Sequence, residues 1–204
     1  MKIKILGFVL LCGSVSVFAV DEMPISTELP TMEKPTRGDV GYVWVARHSD
    51  GSRYEQELLS IDDNGLNWKD NRGCTWTQPR FFEFEPVTEW ANCAGGVEKG
   101  RQYIDSAKGA AWPLNDDTEF HYRYRGIGGS YNWRGTRRCK VDGQVRVSVP
   151  IGEYDTYKVV CKTQWDERTW WVSPELGDAV AYKRWHENDA ERRYTLEVIE
   201  IVDQ

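Results

Sequence analysis

Histidine is scarce in this 204-residue chain, with three in all, and methionine is equally so. A basic excess is missing too: 32 acidic against 26 basic residues leave a formal charge of −6. Proteins dedicated to nucleic acid usually neutralise phosphate with surplus Lys and Arg, so nucleic acid is not an expected partner. No run of 18 or more apolar residues occurs, so no transmembrane segment is expected in the mature chain. Signatures of metal and nucleophile chemistry are incomplete. There is no C-x-x-C knuckle, and His186-Glu187 is followed by Ala190 where a second zinc ligand would stand. Gly129-Ser130 leads to Tyr131 and Asn132, which is not a nucleophile elbow. Asp62-Asp63-Asn64-Gly65 lacks the alternate ligands and closing Glu of a calcium loop and reads as a hairpin turn. His48, His121 and His186 are far apart in the chain. The expectation is a protein without metal, cofactor or catalytic residues.

What is present begins with an address. Lys2 and Lys4 precede an apolar run from Ile5 to Leu11, and Val17-Phe18-Ala19 places small residues at the −3 and −1 cleavage positions. Residues 1–19 read as a cleaved export signal, with a retained anchor as the alternative. Cys12 is not a lipid-attachment site, because Leu11 stands where a small residue is required. Cleavage removes two lysines and no acid, taking the charge from −6 to −8. The expected location is the periplasm, or the medium. Residues 20–37 carry Pro24, Pro30 and Pro35 among Ser, Thr and Glu and read as a flexible linker, leaving 38–204 as a single domain.

Removing the signal leaves Cys74, Cys93, Cys139 and Cys161, an even set suited to two disulfides in an oxidising compartment. From residue 38 onward the pattern is β. Tyr42 to Ala46 leads through Asp50-Gly51 to Arg53–Ile61, and Asn64-Gly65 starts another return; both dipeptides tolerate the positive φ of tight hairpins. Cys139, Val141, Gly143, Val145, Val147 and Val149 occupy every second position, as along one face of a strand. Pairing positions that sum to 300 sets Cys139 against Cys161, Val141 against Val159 and Tyr157 against Gly143. Cys74–Cys93 follows by elimination. The rival reading makes Asp142-Gly143 a tight turn; the valine alternation through it favours a continuous strand. Pro86–Cys93 and Gln102–Ala111 are candidates for short helices without a sustained helical face. About eight to ten strands with short turns predict an all-β antiparallel meander, as a closed barrel or a curled half-barrel.

The stretch Val147 to Val159, containing Val149-Pro150-Ile151-Gly152-Glu153-Tyr154-Asp155-Thr156, is followed by Trp170-Trp171-Val172-Ser173-Pro174-Glu175-Leu176-Gly177. It resembles a V-P-x-G-x-[FY]-x-T strand–turn–strand motif and S-P-E-L-G turn of poorly characterised exported bacterial β-proteins. The resemblance covers residues 139–185 and implies a β-rich periplasmic domain; it carries no activity or site residues.

Two features point to a ligand. Residues 120–141 hold Arg123, Arg125, Arg134, Arg137, Arg138 and Lys140 without one Asp or Glu. Alternation sets Arg123 and Arg125 on one face, and guanidinium groups suit carboxylate or phosphate. The bland reading is a solvated face answered by acidic strands nearby. Ten Trp are the second feature, where average usage gives about two or three. Trp165, Trp170, Trp171 and Trp185 gather in the last third. Adjacent Trp170 and Trp171 must point to opposite faces, so one lies outside a barrel core, under a loop or in a binding surface. Core filling is the bland reading of the tryptophans. Arg123, Arg125, Trp171 and Trp185 are the candidate ligand contacts. The leading expectation is a non-catalytic binding or envelope-maintenance protein with a groove for an anionic, glycan or lipid ligand of the cell envelope. The alternatives are a module that inhibits a basic envelope hydrolase, and a cell-wall hydrolase using a carboxylate pair.

Overall fold

The computed structural model describes residues 19–35, 39–79, 84, 87–94 and 97–202. The expected export signal lies outside them apart from Ala19, as do positions 36 and 37 of the expected linker. Among these residues thirteen strands follow one another: β1 (Glu22–Pro24), β2 (Val43–His48), β3 (Arg53–Asp62), β4 (Gly65–Asp70), β5 (Thr75–Gln78), β6 (Glu89–Ala91), β7 (Gly100–Gly109), β8 (Glu119–Gly128), β9 (Tyr131–Val149), β10 (Gly152–Lys162), β11 (Asp166–Ser173), β12 (Asp178–His186) and β13 (Tyr194–Val202). Each of β2 to β13 pairs antiparallel with its successor, and β13 returns to β2, so twelve strands close an up-and-down barrel. The count exceeds the eight to ten expected from turn signals. Gln102–Ala111 is not a helix but mostly β7, and Glu89–Ala91 within the other helix candidate is β6. The described residues contain no α-helix, only a single 3-10 turn at Ala190–Arg192.

A barrel of this strand number encloses more space than ordinary aliphatic side chains fill, and the aromatic content answers that need. Trp44, Trp68, Trp170, Phe120 and Tyr157 are buried inside with Leu58, Val159 and Val198. Phe84, from the connection between β5 and β6, sits edge-on to Trp170 at 5.3 Å. Met32 and Leu114 exchange backbone hydrogen bonds of 2.9 Å and are both buried in the same core. Many outward positions are charged: on β8 Phe120, Tyr122 and Tyr124 face in while Arg123 and Arg125 are exposed, although Ile127 on the same face is exposed too. An apolar inside with charges outside is the reverse of the distribution in a transmembrane barrel. No described helix is long and apolar enough to cross a membrane.

Both disulfides form as expected, Cys74–Cys93 and Cys139–Cys161. The register between β9 and β10 holds at the cysteines: Cys139 faces Cys161 and Val141 faces Val159. It then slips by one, so Tyr157 lies opposite Gln144, not Gly143. Asp142 and Gly143 together oppose the single residue between those pairs, a β-bulge, and Gly143 takes φ +120°, which only glycine adopts without strain. Because side chains alternate, one extra residue reverses every position beyond it. Val141 therefore faces the barrel core, whereas Val147 and Val149 face outward and gather with Trp171, Val180 and Ala181 in a second cluster. The single valine face read from the sequence is two half-faces.

That outer cluster lies beside the segment expected to be a flexible linker. Instead β1 pairs with β9 (Glu22 to Val147), and Val20 packs on the cluster. Further along, Leu29 N–H donates to Gln144 Oε1 at 2.6 Å, the Tyr157 hydroxyl donates to the Pro30 carbonyl at 2.9 Å, and Met32 is buried. Proline and threonine set an extended backbone here, but the apolar side chains among them find sites on the barrel.

Candidate functional site

The outer wall of β8, β9 and β10 carries the basic segment. Alternation puts His121, Arg123 and Arg125 outward on β8, and Arg134, Thr136, Arg138 and Lys140 outward on β9. The strand register then sets Arg125 opposite Arg134, Arg123 opposite Thr136, His121 opposite Arg138 and Glu119 opposite Lys140. Beyond β9, Arg138 lies opposite Lys162 of β10. A groove of about 440 Å³ runs over this surface, lined by Thr136, Arg138, Lys140, Lys162, Thr163 and Gln164, with Glu119 as its one acidic lining residue. A second hollow of about 280 Å³ shares Lys140, Val160 and Lys162 with it and continues to Lys158, Thr169 and Lys183.

Acidic neighbours answer part of this charge. Arg125 meets Asp105 at 3.4 Å and lies over the Tyr103 ring, Lys140 pairs with Asp142, and Lys162 meets Glu167 at 2.8 Å. The Glu167 hydrogen bond, and then its charge, raise the Lys162 ammonium above its ordinary pKa, so it stays cationic throughout the neutral range. Arg123, Arg134 and Arg138 have no ion-pair partner among the described residues. Arg123 sits diagonally from both of the others, a spacing of about 7–8 Å between Cα atoms that long side chains readily span. Three unopposed guanidinium groups thus flank one groove.

The other expected contacts do not join them. Trp171 is 3% exposed, packed in the outer cluster, and its indole N–H donates to Glu22 Oε1 at 3.1 Å. It lines the second hollow together with Val20, Glu22 and Lys158, and so borders the basic groove without lining it. Trp185 is exposed at the end of β12, but the Arg193 guanidinium covers its ring at 4.4 Å. Three strands separate β8 from β12, so Arg123 and Trp185 do not share a site. Arg138 and Lys162 were the contacts that sequence reasoning undervalued, although the cysteine register that sums to 300 pairs them directly.

A second polar cluster lies on the inner wall, where β11 begins. Asp166 Oδ2 accepts from Arg168 Nε and Nη2 at 3.0 and 2.9 Å, and from Arg184 Nε and Nη2 at 3.0 and 2.8 Å. Its Oδ1 accepts from the Thr163 hydroxyl at 2.8 Å. Burial opposes ionisation of Asp166, yet Arg168 and Arg184 outweigh it and hold the carboxyl below the usual carboxylate range. Arg137, inward on β9, is 5% exposed. Its Nη1 donates to the Phe84 carbonyl at 3.0 Å, while Nε has no acceptor among the described residues. Burial, and then repulsion from Arg168, pull the Arg137 guanidinium down to about 10. Among the described residues no three His, Cys, Asp or Glu side chains are placed to hold a metal ion.

No family model matches the chain, and no curated protein matches it. Two solved structures are similar in outline. The hypothetical lipoprotein YmcC from Escherichia coli (K12) superposes with a TM-score of 0.46 at 9% identity, over 80% of this chain and 85% of that one. A Parabacteroides distasonis protein described as a lipoprotein does so with a TM-score of 0.42 at 11% identity, over 84% and 99%. At these scores the likeness carries nothing about function.

Proposed function

We propose that this chain is a non-catalytic, exported binding protein of the bacterial envelope, and that the outer wall of β8–β10 takes an anionic envelope ligand bearing phosphate or carboxylate groups. The observation that carries the reading is the groove lined by Arg138, Lys140 and Lys162, with Arg123 and Arg134 beside it lacking acidic partners among the described residues. Guanidinium groups on a rigid sheet are preorganised for planar oxyanions, so little side-chain order is lost on contact. The export signal and the two disulfides support the location. Aromatic side chains fill much of the interior, and the basic groove lies on the outside of the barrel.

Binding of a phosphorylated envelope glycan, followed by calorimetry, tests this. Combining Arg138→Glu with Lys162→Glu is expected to weaken affinity at least about tenfold, since it replaces attraction with repulsion at two contacts. Raising salt should weaken binding to the unaltered protein and have little further effect on the variant. Equal affinity in both proteins would overturn the reading.

A further inference from the structure

The inner-wall cluster is unbalanced. Arg137, Arg168 and Arg184 bring three guanidinium groups, and Asp166 is the carboxylate bonded among them. Asp166 already accepts from two arginines and a threonine hydroxyl, and among the described residues no hydrogen bond joins it to Arg137. Arg137 is left with a backbone carbonyl as its acceptor and, among the described residues, an Nε–H aimed at none. A guanidinium withdrawn from water without a counter-charge is costly, and an apolar side chain of similar length would fill the same position more cheaply. The cluster is also reachable. Arg168 and Arg184 side chains keep 25% and 19% exposure, whereas that of Asp166 is 4% exposed. Tyr124, whose ring packs over Gly135, lies in the field of both Arg137 and Arg168.

We propose that Arg137, with Arg168 beside it, forms an internal receptor for one small oxyanionic group, a phosphate monoester or a carboxylate, admitted through the barrel mouth where β11 begins. The group supplies a negative charge in direct contact with Arg137, where Asp166 acts only from a distance, and accepts from the Arg137 Nε–H. It is distinct from the groove on the outer wall: Arg137 points inward from β9, and Arg138 points outward.

Thermal melting of the full chain in phosphate and in succinate, each against chloride at matched ionic strength, tests the site. At tenfold saturation the unaltered protein should melt about 3–6 °C higher in at least one of the two anions. Response to phosphate alone or succinate alone assigns the group. Arg137→Met should melt above the unaltered protein in chloride and show no anion response. Arg138→Glu with Lys162→Glu should keep the response. A midpoint identical in all three salts overturns the proposal, as does a response that survives Arg137→Met or disappears with the outer-wall variant. Should Arg137→Met fail to fold, the Arg137 Nε–H resonance of the unaltered protein decides: movement on adding the anion supports the site, and a fixed resonance overturns it.

Discussion

Trp170 and Trp171 are neighbours on one strand, equally buried, and held in place by different means. Trp170, 1% exposed, is enclosed by the closed ring itself, with Phe84 at 5.3 Å and Tyr182 at 5.2 Å. Trp171, 3% exposed, points out of the barrel and is covered by chain arriving from residues 19–24. Burial alone therefore does not say which part of a protein does the burying. One indole depends on twelve strands, the other on a short strip laid over them.

The contrast gives graded expectations. Trp170→Ala should cost about 4 kcal/mol in urea unfolding, because ring closure leaves little freedom to refill the space. Trp171→Ala should cost about 2 kcal/mol, since the overlying strip can settle. Equal losses would mean that the strip is as rigid as the barrel. Asp166→Asn should cost about 3 kcal/mol at neutral pH by leaving Arg168 and Arg184 without their carboxylate. Its pH dependence has a definite sign. The folded carboxyl titrates below its unfolded value of about 3.9, so its contribution is complete above that pH and is lost as pH falls below it. Acid unfolding should accordingly be steeper in the unaltered protein than in Asp166→Asn. The smallest effect expected is for Gly143→Ala, about 1 kcal/mol, from forcing a Cβ onto positive φ at the bulge that separates the two valine half-faces.

Much of the fold was readable where residues announce their own geometry. Hairpins form where Asp50-Gly51 and Asn64-Gly65 announce them, each glycine taking positive φ just after the turn, Gly51 at +86° and Gly65 at +137°. The cysteines fixed the pairing of β9 with β10, and adjacency alone forced Trp170 and Trp171 apart. The bulge at Gly143 was hidden, because valines at every second position look identical whether or not an extra residue intervenes. Residues 20–35 of the expected linker misled through composition: prolines describe backbone shape and say nothing of whether Leu29 or Met32 has somewhere to dock. For the site, clustered arginines were visible in the chain, but Lys162 comes from another strand and was reachable only through the register. Trp171 and Trp185 were chosen as ligand contacts; the chain alone did not show that Glu22 accepts from the Trp171 indole N–H or that Arg193 lies over the Trp185 ring.

Closing the ring by laying β13 on β2 has a kinetic corollary. Arg47 and Glu197 meet at 2.7 Å across that seam, 150 positions apart. While the polypeptide is being delivered amino end first, the earliest long strand waits with one flank unpaired for the final residues to arrive, and slow completion follows from such distant pairing. A molecule shortened at its carboxyl end, even by the length of one strand, keeps two raw sheet margins and becomes a substrate for proteolysis or self-association.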